Sequence, residues 1–293
     1  GRNFETKQFE ESIVEDSFTR LKGSLLSFMN ETHYKRFIMI IRSAGFIDSS
    51  LIGSQNALNS AYIVYLTLRA LKTPDADIEQ HVRKWFVFSV LTGRYSGSPE
   101  SMFDYDIRQI HAQGFKTFSV SLYAGQLSEA FWNSSLPQEM DTSVASSPYF
   151  RVFQAAQIKL ADKGFLSKDL SVRELVEVKS DVHHIFPKDY LKKQGFNRGQ
   201  YNQIANYAVA QSEINIAIGN KEPAKYMNEL KEQCQGEKKK YGNIIREEEL
   251  NANLTMNCIP DGMEAMTAAD YPSFLSKRRI LMAQKIKTYF EGL

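Results

Sequence analysis

At 293 residues, 43% hydrophobic and 24% charged, the chain has the composition of a globular protein with a large buried core and one or two domains. Its longest apolar runs, such as Trp85 to Leu91, are far too short to cross a bilayer, and the isolated Cys234 and Cys258 fit neither a disulfide framework nor a zinc ribbon. The formal net charge of +2 divides unevenly: 14 basic and 16 acidic residues over 1–150, then 22 and 18 over 151–293, a small basic excess of the right sign for a phosphate-backbone partner. No cleavable signal pattern opens the chain, and it does not begin with Met, so a piece of a longer protein in a reducing cytoplasm is expected.

The first half reads as helical. Leu58, Ala61, Tyr62, Tyr65, Leu66 and Arg69 follow three-and-four spacing, and Thr73-Pro74-Asp75 stops that helix. Ile78, Val82, Trp85, Phe86 and Val90 predict a second helix ending near Gly93. Ser98-Pro99-Glu100 reads as a third start, with Ser98 capping and Pro99 in the first turn. Thr117 to Trp132 reads as helix with a weak point at Gly125. Pro137 to Pro148, rich in Ser, Thr and Asp, is the expected boundary between a helical scaffold at 1–145 and a second domain at 146–293.

Beyond the boundary, Tyr149 to Lys163 predicts a helix ending at Gly164, and the alternation Leu175-Val-Glu-Val-Lys179 predicts a strand. Pro187 forbids continuation of a paired strand. Lys188 to Gln194 reads as a short helix, Ala205 to Ala210 as a second strand, and Ser212 to Leu230 as helix interrupted at Gly219 and Pro223. A closing amphipathic helix over Pro272 to Phe290 turns Phe274, Leu281, Ile286 and Tyr289 inward. The expected fold class is mostly α with a small β component: a helical domain followed by an α+β domain.

Chemistry concentrates in Asp181-Val-His183-His184-Ile-Phe-Pro187. Two of the five histidines are adjacent there, Asn206 lies 22 residues after His184, and Asn215 lies nine further on. One imidazole can hold a divalent metal while its neighbour takes a proton from water near neutral pH. An asparagine amide oxygen suits a hard cation such as Mg²⁺.

These residues resemble a known family. His183-His-Ile-Phe-Pro187, Asn206-Tyr-Ala-Val-Ala210 and Ser212-Glu-Ile-Asn215 look like the ββα-metal core of His-Me finger (HNH) nucleases. The longer match, including Ile218-Gly-Asn220-Lys221-Glu-Pro223 and Ser273 to Met282, resembles the nuclease half of GmrSD-type modification-dependent restriction endonucleases. It covers about residues 150–293, with a looser likeness around Leu51 to Leu58.

The resemblance implies a DNA endonuclease of a restriction or antiviral defence system, using Mg²⁺ (or Mn²⁺) and no organic cofactor. His184 becomes the general base. His183, where many relatives carry aspartate, and Asn215 become the metal ligands, and Asn206 a fastener that orients His184. Asp181 reads as a turn residue or a distant acceptor for a ring N–H. Lys188, Lys192, Lys193, Arg198 and Lys221 are candidate DNA-phosphate contacts, whereas Lys238 to Lys240 and Lys277 to Arg279 read as solvated surface. His33, His81 and His111 read as structural.

The family also implies an upstream nucleotide-dependent sensor domain as partner, marked by an Asp-Gly-Gln-Gln-Arg-like motif that this chain lacks. Two rival readings are weighed beside the nuclease. A zinc metallohydrolase using both histidines lacks HExxH and a third nearby His or Cys. Against a helical interaction module whose ββα fold has lost activity stand the intact His184 and Asn215.

Overall fold

Apolar residues at helical spacing dominate the first half, and helices form there. The computed structural model describes residues 3, 6–180 and 182–293. α1 (Glu11–Phe28) buries no residue and leaves Val14, Phe18, Leu21 and Leu25 exposed. α2 (Glu31–Ser43), α3 (Gln55–Ala70) and α4 (Asp75–Leu91) follow, capped by Asn30 and Ser54 side chains at the first two starts. The inner face of α4 is apolar except for the buried Ser89, and Val82, Trp85, Phe86, Val87 and Phe88 are fully buried. α5 (Pro99–Gln113) does begin with Pro99 in its first turn, although the Ser98 side chain makes no cap bond.

The helix expected over 117–132 is broken. α6 (Phe115–Gln126) ends one residue beyond Gly125, and a π-helical turn, Phe131–Ser135, runs into α7 (Leu136–Glu139). Residues 141–147 are irregular, and α8 (Pro148–Lys159) then buries Phe150, Val152 and Phe153.

The strand expected over 175–179 is instead largely helix. α9 (Val172–Glu177) starts at a capping box in which the Ser171 side chain accepts from the Glu174 amide and the Glu174 carboxylate accepts from the Ser171 amide. Val172 and Leu175, three apart, are its buried residues, so the apparent two-residue alternation was a fragment of a helical stripe.

Among the described residues the paired strands are β1 (Val182–His184) and β2 (Tyr207–Val209), antiparallel, with Val182 opposite Val209, His183 opposite Ala208 and His184 opposite Tyr207, and a separate antiparallel bridge joins Lys163 to Ser171. Between them lie α10 (Lys188–Lys193) and α11 (Arg198–Tyr201). α12 (Ser212–Ile218), α13 (Pro223–Cys234), α14 (Glu247–Met256) and α15 (Tyr271–Glu291) complete the chain. Mostly helical with one small two-stranded sheet is therefore the architecture.

α15 packs along the body from end to end. Phe274, Met282 and Ile286 are fully buried, each contributing ~1.5–3 kcal/mol of apolar burial. Near its C-terminus the Tyr289 hydroxyl donates to the Ala44 carbonyl (2.6 Å), and Phe290 meets Tyr123 and Trp132. Gly45, at φ +101°, lets the chain after α2 press on α8: a Cβ there would lie 2.1 Å from the Ala155 oxygen. Buried apolar residues from Phe37 to Leu293 join in one core. No helix among the described residues is long and apolar enough to cross a membrane.

Candidate active site

β1 ends at His184, Pro187 caps the start of α10, and the chain travels through α10 and α11 before returning as β2. Asn206 ties the two ends of that excursion together. Its Oδ1 accepts from the Phe186 amide (2.8 Å), and its Nδ2 donates to the carbonyls of Phe186 (3.0 Å) and Tyr201 (3.1 Å). The Ile185 amide donates to the Asn206 carbonyl (2.9 Å). The side chain is fully buried, so it acts on backbone alone. Tyr226 of α13 adds a hydroxyl bond to the Ile185 carbonyl (2.8 Å).

Successive side chains on a strand point to opposite faces, which separates the two histidines. His183 turns inward, stacked on Phe165 with ring centres 5.8 Å apart, and its Nδ1 lies 2.6 Å from Asn215 Oδ1 on α12. His184 is half-buried on the other face, where the Tyr207 ring meets it edge-on at 5.0 Å. Its Nε2 lies 2.9 Å from Asn202 Oδ1. An amide oxygen only accepts, so the shared proton sits on His184 Nε2 and leaves Nδ1 with its lone pair.

Burial lowers the pKa of both rings. For His183 the value falls to about 4, with the Asn215 bond pulling upward and the neighbouring His184 downward. His184 also lies below the ordinary imidazole range, chiefly through burial, with Asn202 raising it and Lys188 lowering it. Both imidazoles are thus biased toward the neutral form, with the His183 proton on Nδ1 facing Asn215 and the His184 Nδ1 lone pair open to accept a proton.

Among the described residues, no group of three or more His, Cys, Asp and Glu is arranged to hold a metal ion. The donor set on offer is one imidazole and one amide oxygen. Mg²⁺ keeps several waters and takes few protein ligands, so an imidazole and an amide oxygen suit it in donor type. The observed 2.6 Å between His183 Nδ1 and Asn215 Oδ1 is a hydrogen bond in which Nδ1 holds the proton, so the ring must move that proton to Nε2 before it ligates. One feature weakens the grip. His183 Nε2 is buried without a hydrogen-bond partner, so the second-nitrogen anchor that usually fixes a ligating histidine is missing among the described residues.

The expected phosphate contacts divide. Lys188, Lys192, Lys193 and Arg198 are exposed on the excursion between the strands. Lys192 leans toward Asp189 (3.5 Å) and the Tyr201 ring. Lys221 is committed elsewhere, donating to Glu229 (2.9 Å) and to the Tyr241 hydroxyl (2.6 Å), so it is held as a structural cation. Asp181 lies outside the described residues. Of the other histidines, His81 packs edge-on against Phe115.

Two residues with a direct hold on the site escaped sequence reasoning. Asn202 carries no spacing signal. Arg278 does: it lies four residues after Phe274 and three before Leu281, on the stripe expected to face inward. Far from being solvated, its guanidinium is fully buried, which drops its pKa to about 10 and still leaves it charged. Nη1 donates to the carbonyls of Ala205 (2.8 Å) and Tyr207 (2.7 Å), and Nη2 to that of Asn257 (3.1 Å).

The chain matches no protein-family model and no solved structure. Over 157 residues it is 28% identical to an uncharacterized protein of Methanocaldococcus jannaschii, an alignment covering 54% of this chain and 26% of that protein. The chain therefore spans about a quarter of the length of that relative.

Proposed function

We propose that the chain is a metal-dependent DNA endonuclease of the ββα-metal type, belonging to a larger restriction protein that carries its sensor elsewhere. The observation that carries the reading is the pairing of His183 with Asn215 beside His184, on an antiparallel strand pair fastened by Asn206. His183 and Asn215 would hold the ion. When bound, it supplies positive charge to a phosphate and to the oxygen that leaves. His184 takes the proton of the attacking water on Nδ1, while Asn202 holds the opposite nitrogen and fixes the ring's tautomer. Asn206 keeps the loop, and with it the ring, in place without touching substrate. Exposed Lys188, Lys192, Lys193 and Arg198 bind DNA phosphates, and the cytoplasm is the compartment where such DNA is met.

A second reading, a helical interaction module without catalysis, draws on one observation. The two donor atoms are already bonded to each other, and no carboxylate joins them among the described residues. Zinc hydrolysis has less support, for the same lack of a third ligand. Supercoiled plasmid incubated with Mg²⁺ or Mn²⁺, and with EDTA, decides between them. Metal-dependent nicking abolished by His184→Ala supports the nuclease. Equal plasmid profiles with metal and chelator, at any protein concentration, leave the interaction module standing.

A further inference from the structure

A buried cation is costly unless charge meets it, and Arg278 has no carboxylate within ion-pair distance among the described residues. Among the described residues its hydrogen bonds all go to backbone carbonyls, those of Ala205, Tyr207 and Asn257. Two of them bracket Asn206, whose own carbonyl is taken by the Ile185 amide. Three consecutive carbonyls, 205 to 207, are thereby pinned. Tyr207 is also the register partner of His184, and its ring edge faces the imidazole. A rotation of the 206–207 or 207–208 peptide would tilt that edge and move the histidine. An apolar side chain could fill the same volume at lower cost, so what the guanidinium adds is geometry: a planar fork that fixes several carbonyls at once.

We propose that Arg278 is the positioning residue of the active strand pair, setting the His184 ring through Ala205 and Tyr207. The proposal rests on the nuclease reading for its kinetic consequence, though not for its structural one. Lysine keeps the charge but offers a single ammonium in place of the fork.

The test uses the full chain and the Arg278→Lys, Arg278→Met and Arg278→Ala variants. For Arg278→Lys, the expected result is a folded protein whose nicking rate at saturating Mg²⁺ falls roughly 10- to 100-fold, because small misplacements of a reacting group cost that much. Its half-saturating Mg²⁺ concentration should stay within about twofold, since Arg278 touches neither His183 nor Asn215. Millimolar guanidinium should restore Arg278→Ala several-fold and leave His184→Ala unchanged. Wild-type turnover in folded Arg278→Met, or losses that merely track the unfolded fraction without guanidinium rescue, overturns the proposal.

A second measurement separates this idea from the nuclease reading. At one fixed pH, the His184 ring resonances and the Tyr207 carbonyl ¹³C resonance should move in Arg278→Lys while those of α3 stay still. If wild-type protein never nicks DNA, the nuclease reading fails and these resonances alone decide. Unmoved His184 and Tyr207 signals then overturn the positioning role.

Discussion

Replacing Asn206 by alanine removes three hydrogen bonds from a place water does not reach. The Phe186 amide loses its acceptor and the Phe186 carbonyl its donor, whereas the Tyr201 carbonyl keeps a bond from the Tyr271 hydroxyl (3.3 Å). Each of the two orphaned buried groups costs ~1–3 kcal/mol, and entry of a water into the vacated space recovers part of it, so the expected loss is roughly 2–5 kcal/mol. That is a large share of the ~5–15 kcal/mol that holds an ordinary domain folded. Asn206→Asp makes a sharper probe. It keeps the acceptor for Phe186 but turns a carboxylate toward two carbonyls, which raises the folded-state pKa of the new acid above its unfolded value. Stability of that variant should fall as pH rises between those two pKa values and recover on acidification, opposite in sign to an ion-paired carboxylate. Urea unfolding followed by tyrosine and tryptophan fluorescence, with the slope checked for constancy, measures both variants. A loss under about 1 kcal/mol for Asn206→Ala, with unchanged slope, refutes the fastening argument.

His184→Ala should cut nicking by about 10²–10⁴ with metal affinity within a few-fold, whereas His183→Ala and Asn215→Ala should be partly rescued by excess Mg²⁺ or Mn²⁺; calorimetry giving the reverse pattern would exchange the two histidines' roles. Burial holds His183 at about 4 against an unfolded value of ~6.5, so the unfolded chain takes up the proton first as pH falls. The linked stability is complete above ~6.5 and is lost, by at most roughly 3 kcal/mol, on acidification toward 4. Urea titrations in EDTA, comparing wild type with His183→Phe, check this, and parallel losses in both proteins would contradict it. ATP, GTP or UTP at fixed free Mg²⁺ should not stimulate nicking by the chain, and a clear rise on plasmid assays would reveal a nucleotide sensor within the helical half.

Local signals were legible where one residue type settles the backbone. Pro74, Pro99 and Pro187 stand where helices or strands begin or stop, because a fixed φ and a missing N–H leave few choices. The helical stripe of α15 was readable for the same kind of reason. The 175–179 segment was misread since five residues cannot distinguish a period of two from a helical fragment, and the deciding capping box lies just upstream at Ser171 and Glu174. Arg278 was misread because a charge in a basic run is usually solvated, and only the fold brings three carbonyls to meet it. The partners that hold Lys221 were equally invisible in the sequence, Glu229 and Tyr241 lying eight and twenty residues away. At the site, His183, Asn206 and Asn215 were named from sequence and each makes contacts at the strand pair or its flanking helix, but Asn202 came only with the coordinates.

α15 is 21 residues long, so its axis runs ~30 Å. One end holds the Ala44 carbonyl through Tyr289, and farther back along the same rod Arg278 holds the carbonyls around Asn206. α15 is therefore a keystone shared by both halves, seated between segments that are synthesised well before it. During synthesis the early helices must wait for it with an apolar face uncovered, and the histidine strand pair gains its rear support only once α15 has left the ribosome. A chain built this way braces its helical half and its histidine strand pair in one step, so a product cut short before α15 would lack both supports.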